Sequence, residues 1–129
     1  MNTKLQKLIG TAALGLALLS NSALTWAGRV DRPEVQIGTN TARGSMAGAH
    51  YSADSTQYIG CSFPNANSPF VSCAATDKVG KNLFCVGYDT RYKEVLKTIN
   101  DFSLIEFTVA AGGTSCESLV VRNYSDYLR

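Results

Sequence analysis

Between residues 58 and 88 the chain reads YIGCSFPNANSPFVSCAATDKVGKNLFCVGY, in which two clusters of turn-forming residues separate three runs rich in strand-forming residues. Runs of this kind, bounded by Pro, Gly, Asn and Asp, are typical of antiparallel hairpins. We therefore predict strands over Thr56–Phe63, Phe70–Thr76 and Asn82–Tyr88. Because Leu83 and Cys85 lie on one face of the third strand and Phe84, Val86 and Tyr88 on the other, both faces are apolar, and we expect this strand to lie at the centre of the sheet.

Four cysteines lie in or after this stretch, and an even number in a short exported chain is typical of a disulfide framework. They are Cys61, Cys73, Cys85 and Cys116. A structural zinc site needs close pairs such as C-x2-C or several histidines, whereas these spacings are long and the chain has one histidine. We therefore predict two disulfides, no metal site and no cofactor.

The strand pattern favours one of the three possible pairings. In a three-stranded meander Cys61 and Cys85 are two strand spacings apart, about 9.6 Å, which a disulfide does not span. A turn at residues 77–81 places Cys73 opposite Cys85 at a hydrogen-bonded pair, the wider kind of cross-strand pair. We therefore favour Cys61–Cys73 with Cys85–Cys116, and keep Cys73–Cys85 with Cys61–Cys116 as the alternative.

Beyond residue 88 the apolar period changes from two to about 3.6, which predicts one short helix of about ten residues. Its apolar stripe consists of Tyr92, Val95, Leu96 and Ile99. The preceding Asp89–Thr90 can cap the start of this helix. Two further alternating runs follow, which predict strands around Phe107 and over Cys116–Arg122.

The segment that precedes the meander has a weaker pattern. Val35 and Ile37 are separated by a polar residue, which predicts a short edge strand. The polar segment Thr39–Ser45 is predicted to be a loop. Met46–Ser52 is rich in small residues, and we expect a strand there that packs closely against another backbone.

The whole pattern predicts a mainly β fold with one short helix, in a single domain over residues 28–129. We expect a small antiparallel sheet or sandwich of about six strands, stapled by disulfides. The predicted core includes Phe63, Phe84, Phe107, Val109 and Val121.

The first 27 residues have the three parts of a secretory signal peptide, in a bacterial style. Lys4 and Lys7 give a basic start and Leu8–Leu19 is apolar. The segment ends in Thr25-Trp26-Ala27, which puts small residues at the last and third-last positions before the predicted cut. The apolar run is shorter than the about 20 residues that span a bilayer. We therefore predict cleavage near Ala27, a periplasmic or secreted location, and no transmembrane anchor in the mature chain.

The charge balance gives no support for a nucleic-acid partner. The chain has 12 basic and 10 acidic residues, and Lys4 and Lys7 leave with the leader, so residues 28–129 carry ten of each sign. Binding to nucleic acid requires a clustered positive field, which a neutral domain without a basic run does not provide.

The single histidine, His50, is the one residue around which catalysis is worth considering. Ser45, Ser52, Ser55 and Asp54 lie near it in sequence. A catalytic triad is defined by convergence in space, and the G-x-S-x-G signature of a nucleophile elbow is missing. We therefore predict no catalytic residue, and keep a small exported hydrolase centred on His50 with Asp54 as an alternative function.

Tyrosines are the most plausible binding residues, because they combine a large apolar area with a polar tip. The candidates are Tyr51, Tyr58, Tyr88, Tyr124 and Tyr127. The loops Pro64–Pro69 and Gly28–Ser45 are expected to contribute. We predict a non-catalytic binding domain with a rigid sheet and loop surface, whose partner is a protein, a glycan or an envelope polymer. A structural component of a cell-surface assembly is a further alternative.

Overall fold

The computed structural model of the chain describes residues 31–124, and these form two antiparallel sheets and two short helices. One sheet has the order β1-β2-β6-β7 and the other the order β3-β4-β5. In chain order the elements are β1 (Gln36–Ile37), β2 (Thr41–Ser45), α1 (Met46–His50), β3 (Tyr58–Ser62), β4 (Val71–Thr76), β5 (Asn82–Gly87), α2 (Thr90–Leu96), β6 (Leu104–Val109) and β7 (Cys116–Arg122). The predicted mainly β class is confirmed, whereas the predicted leader, its cleavage site and Tyr127 lie outside the described residues.

The three strands predicted between residues 56 and 88 are present as β3, β4 and β5, and the turn between the last two sets their register. The Asp77 amide donates to the Lys81 carbonyl at 3.0 Å, and Gly80 adopts a φ of 84° that favours glycine. This bulged turn places Cys73 directly opposite Cys85, as predicted.

The position of β5 differs from the prediction, because β5 is an edge strand of its sheet and β4 is the middle one. The alternation of β5 buries Cys85 completely but leaves Phe84 48% exposed. The placement of Phe84 in the core was therefore wrong. Two apolar faces on this strand reflect one buried face and one open face, rather than burial on both sides.

The apolar sides of the two sheets share one core. Phe107 and Ile105 of β6 are fully buried, and they belong to the same cluster as Val71, Cys73 and Ile59 of the other sheet. The predicted core residue Val109 is also buried, whereas Phe63 and Val121 are half-buried.

The disulfides join Cys61 to Cys73 and Cys85 to Cys116, the same pairs that the strand pattern favoured. Cys61 and Cys73 are directly opposite in β3 and β4, with their Cα atoms 4.0 Å apart. Hydrogen-bonded and non-hydrogen-bonded pairs alternate along two antiparallel strands, so counting from the hydrogen-bonded Asp77–Lys81 pair makes Cys73–Cys85 a hydrogen-bonded pair. The backbone amide and carbonyl of Cys73 therefore point toward β5, and Cys73 forms the closer, non-hydrogen-bonded kind of pair with Cys61 of β3. The second disulfide links β5 to β7 and therefore ties one sheet to the other.

Two predictions upstream of the meander were wrong. Thr41–Ser45 is strand β2 rather than a loop, because its small residues Ala42 and Gly44 alternate into the interior. Met46–His50 is helix α1 rather than part of a strand, because the buried Ser45 hydroxyl accepts the Gly48 amide at 2.7 Å and caps the helix. Glycine is required at this point, since a Cβ on Gly48 would lie 2.4 Å from the Pro33 carbonyl oxygen.

Helix α2 lies where the 3.6-residue period predicted it, but it is seven residues long rather than about ten. The Asp89 carboxylate accepts the Arg91 amide at 2.9 Å and caps its start. Leu96 is buried, and Tyr92 packs onto Gly87, where a Cβ would lie 2.5 Å from the Tyr92 ring. This close approach fixes the connection between β5 and the helix.

Candidate functional site

The open side of the three-stranded sheet combines aromatic side chains with a complete lack of charge in its strands. Strands β3, β4 and β5 contain no Asp, Glu, Lys, Arg or His. Since Ile59, Cys73 and Cys85 point into the core, their neighbours along each strand point outward. We call this surface the aromatic face; it consists of Tyr58, Gly60, Ser62, Ser72, Ala74, Thr76, Asn82, Phe84, Val86 and Tyr88.

The middle of the aromatic face is an apolar row that crosses all three strands. Gly60 is paired with Ala74, and Ala74 with Phe84, so two small residues lie beside the phenyl ring. Tyr58 also extends over this row, because its hydroxyl oxygen lies 3.1 Å from the position that a Cβ on Gly60 would occupy. The ring of Tyr58 therefore lies along the sheet surface rather than projecting from it.

Hydroxyl and amide groups border the apolar row on both sides. On one side the Ser62 and Ser72 hydroxyl oxygens are 3.3 Å apart. On the other side the Thr76 hydroxyl donates to the Asn82 side-chain oxygen at 2.6 Å. Both pairs are cross-strand neighbours on the outward side, so each row presents polar atoms to an approaching ligand.

Three aromatic side chains of this face are substantially exposed: Phe84 at 48%, Tyr58 at 56% and Tyr88 at 70%. The Tyr88 ring lies against Phe70, with the ring centroids 6.1 Å apart. Phe70 directly follows the predicted binding loop Pro64–Pro69, so this loop borders the aromatic face. The sequence analysis did not identify Phe84 as a surface residue. The signal that could have done so is its neighbour Cys85: a cysteine in a predicted disulfide points into the core, so the next residue along the strand points outward.

The open side of the four-stranded sheet has a different character, because it carries paired charges. The Arg122 guanidinium donates to the Glu106 carboxylate at 2.9 Å, and Arg43 approaches the same carboxylate at 3.9 Å. The two outer surfaces of the domain therefore differ in chemistry, one ionic and the other neutral and aromatic.

The predicted tyrosines do not form one surface. Tyr58 and Tyr88 lie on the aromatic face, whereas Tyr51 follows α1 and Tyr124 follows β7 of the other sheet. The Tyr51 ring contacts His50 edge-on at a centroid distance of 4.7 Å, and the Arg32 guanidinium lies 5.0 Å from its centre. Tyr51 is therefore part of a separate local cluster.

His50 lines a cleft of about 340 Å³, and the cleft does not include Asp54. Its walls are formed by Met46, Ala47, His50, Tyr51, Asp101 and Phe102. Asp54 instead organises the loop before β3, since one carboxylate oxygen accepts the amides of Thr56 and Gln57, both at 2.9 Å. The other oxygen accepts the Gln57 side-chain amide at 2.7 Å.

Two of the serines near His50 also have structural partners. The Ser45 hydroxyl caps α1, and the Ser52 hydroxyl donates to the Ala49 carbonyl at 2.8 Å. The structure therefore gives bonds within the fold to Asp54, Ser45 and Ser52, three of the groups that the hydrolase alternative would use. Within residues 31–124, no three His, Cys, Asp or Glu side chains lie close enough together to hold a metal ion.

The bonds to Asp54 make one pH dependence predictable. They lower the pKa of Asp54 from 3.8 to about 2, with the Gln57 side chain as the largest cause. A depressed folded-state pKa stabilises the fold above pH 3.8, and that contribution is lost as the pH falls toward about 2. Chemical unfolding of Asp54→Asn should therefore show lower stability than the wild type at neutral pH, and the difference should shrink steadily as the pH falls from 3.8 toward about 2.

The comparison of Asp54→Asn with the wild type cancels the pH dependence that other acidic residues contribute to the stability of both proteins. The pKa of Asp89 is lowered too, mainly by the hydrogen bond from the Arg91 side chain, but this residue is the same in both proteins. A stability difference that stayed constant from neutral pH to about pH 2 would contradict the role assigned to Asp54.

Two disulfides are typical of proteins that mature in an oxidising compartment. None of the helices within the described part of the chain is long and apolar enough to span a bilayer. Comparison with known proteins gives no relative, since no family model, curated protein or solved structure matches the chain.

Proposed function

We propose that the protein is an exported, non-catalytic binding domain that contacts its partner through the aromatic face. The observation that carries this proposal is the joint exposure of Tyr58, Phe84 and Tyr88 on one uncharged sheet surface. Exposed apolar patches on small domains mark interaction sites, and aromatic residues are enriched at the centres of interfaces.

The disulfides support this proposal because they fix the backbone beneath the aromatic face. Cys61–Cys73 links β3 to β4, and Cys85–Cys116 anchors β5 to the other sheet, so each of the three strands is covalently held. A preorganised surface loses little conformational entropy on association, which leaves more of the contact energy for affinity.

Export to the periplasm or the cell exterior is part of the proposal. It is supported by the signal-like residues 1–27 and by the two disulfides. In such a compartment the candidate partners are a glycan, an envelope polymer or another protein. If the protein partner is a second copy of this chain, the domain is a structural component of a cell-surface assembly.

A hydrolase centred on His50 is the second candidate, and the cleft that His50 and Asp101 share is the observation that favours it. The binding proposal is preferred because Asp54, Ser45 and Ser52 are bonded within the fold. Turnover of any ester, peptide or glycoside by the purified protein, abolished by His50→Ala with the fold intact, would establish the hydrolase instead.

The binding proposal is tested by removing the exposed rings together. The triple variant Tyr58→Ala, Phe84→Ser, Tyr88→Ala and the control Tyr51→Ala, which removes an exposed tyrosine elsewhere, are compared for retention on isolated cell-envelope fractions. We expect the wild type and the control to be retained and the triple variant to be released. Equal retention of all three folded proteins would show that the aromatic face is not the binding surface.

A further inference from the structure

We infer that the partner of the aromatic face is a neutral glycan chain, lying across the three strands along the row that Gly60, Ala74 and Phe84 form. This inference rests on the proposed function, because it takes the aromatic face as the contact surface. It is argued from the arrangement of apolar and hydroxyl rows, from the orientation of the aromatic rings and from the charges around the face.

The aromatic face has a central apolar row with a polar row on each side, and this arrangement matches the apolar and polar parts of a sugar ring. A pyranose ring presents C–H groups on its flat sides and hydroxyl groups around its edge. The central row offers the phenyl ring of Phe84 beside Ala74, and the end of the Tyr58 side chain lies over Gly60, so aromatic and small apolar groups together can meet the flat side of such a ring. Successive outward residues on a strand are about 6.6 Å apart, so a polar row lies at that distance on each side.

The polar rows have hydrogen-bonding capacity to spare for the edges of such a ring. Each hydroxyl has one donor and two acceptor lone pairs, and the Ser62–Ser72 pair shares a single hydrogen bond. The Thr76 donor is used by Asn82, which leaves the Thr76 lone pairs and one side-chain N–H of Asn82. Both borders can therefore donate to and accept from sugar hydroxyls.

The orientation of Tyr58 favours stacking over insertion. Its hydroxyl oxygen and two adjacent ring atoms lie 3.1, 3.5 and 4.0 Å from the position of a Cβ on Gly60, so the end of the side chain leans over this residue, and the side chain as a whole remains 56% exposed. A side chain that lies along the surface in this way is available to a ligand that rests on the sheet, whereas the hot spots of protein interfaces are usually side chains that fill pockets.

The distribution of charge around the face favours a neutral ligand over an ionic polymer. The two lysines of the turn that joins β4 and β5 are bonded on the side of β1: Lys78 to Glu34 at 3.2 Å, and Lys81 to the carbonyl oxygen of Gly38 at 2.6 Å. Two further charged groups lie at the margin of the face: Lys93 donates to the Ala66 carbonyl of the Pro64–Pro69 loop at 3.2 Å, and Arg91 pairs with Asp89, the residue after Tyr88. The strands themselves carry no charge, so charged groups are confined to the margins, where each of these has a partner within the fold.

The experiment measures binding of soluble hexasaccharides to the purified, oxidised protein by calorimetry and by amide NMR shifts. The neutral probes are the hexasaccharides of cellulose, xylan, mannan, amylose and chitin, and the charged probes are hexagalacturonate and a heparin hexasaccharide. We expect at least one neutral probe to bind, with amide shifts confined to β3, β4 and β5 and little dependence on salt.

Variants then assign the contact to the aromatic rings. Phe84→Ser should weaken binding of that probe about tenfold, because the variant loses the apolar contact area of the ring. Phe84→Tyr retains the ring and should retain the affinity, and Tyr51→Ala, away from the face, should bind as the wild type does. Thermal unfolding of each variant checks that the fold is intact.

The outcomes separate this inference from the proposed function. Binding of the charged probes alone, or of no probe at all, overturns the glycan inference. If sedimentation shows instead that the protein self-associates, and the Tyr58, Phe84 and Tyr88 triple variant does not, the face is a binding surface for a second copy. In that case the proposed function stands and the glycan inference fails. Glycan binding that all the variants retain overturns both.

Discussion

Removing the disulfide between the two sheets, by the double variant Cys85→Ala with Cys116→Ala, should lower the free energy of unfolding by about 4 kcal/mol. The chain-entropy argument gives this value because the bond closes a loop of 31 residues. The bond also joins β5 to β7, so without it the two sheets are held together only by core packing and by noncovalent bonds such as that from the Val86 amide to the Thr114 carbonyl. Urea unfolding followed by circular dichroism measures the loss.

The other disulfide provides the matched control. Cys61→Ala with Cys73→Ala opens a shorter loop, of 12 residues, between two strands that are already paired, and should lower the free energy of unfolding by about 3 kcal/mol. Reduction of the wild type should destabilise it by more than either double variant. If reduction left the unfolding midpoint unchanged, the role of the disulfides in this fold would be refuted.

The second large effect is expected for Phe107→Ala, which should lower the free energy of unfolding by about 3–5 kcal/mol. Phe107 is fully buried at the centre of β6, between Ala42 of β2 and Leu119 of β7. Truncation removes the apolar contacts of a whole ring and leaves a cavity that the neighbouring strands cannot fill. For a small domain this is a large share of the total stability.

Phe84→Ala is the control for this prediction, because it removes the same group from a strand residue that is 48% exposed. Its loss should be about 1 kcal/mol or less, since a half-exposed ring is buried against fewer neighbours. Equal destabilisation by the two substitutions would contradict the assignment of one phenylalanine to the core and the other to the aromatic face.

The meander and its register were predictable because local chemistry determines them. The turn at residues 77–81 contains an aspartate and a glycine at the places that a bulged hairpin requires, and counting from it fixes which cysteines face each other. Helix α2 was predictable for a similar reason, because its apolar stripe and its Asp89 cap both lie within ten residues.

Strand β2 and helix α1 were missed because their signals depend on tertiary contacts. Ala42 and Gly44 are interior residues whose small side chains give almost no apolar alternation. The cap of α1 is a serine that could equally belong to a turn, and Gly48 is required there by the Pro33 backbone, which is distant in sequence.

The candidate site was predictable in part. Tyr58 and Tyr88 were named from residue type alone, but their grouping apart from Tyr51 depends on which element each one lies in or follows. Phe84 was assigned to the core because an apolar residue on a strand is usually buried. Only the packing of the two sheets shows that the other sheet covers the Cys85 side of β5 and leaves the Phe84 side open.

The hydrogen bond between Val86 and the segment before β7 has a consequence for the solution behaviour of a domain with exposed aromatic rings. The Val86 amide donates to the Thr114 carbonyl at 2.7 Å, and Val86 and Ser115 form an isolated parallel bridge. An unpaired edge strand is a template for fibril growth, because its free amides and carbonyls can pair with another chain. In β5 one of these amides, that of Val86, is already bonded within the domain. The domain can thus expose hydrophobic rings to its surroundings while the partly paired edge of β5 opposes strand addition by other molecules.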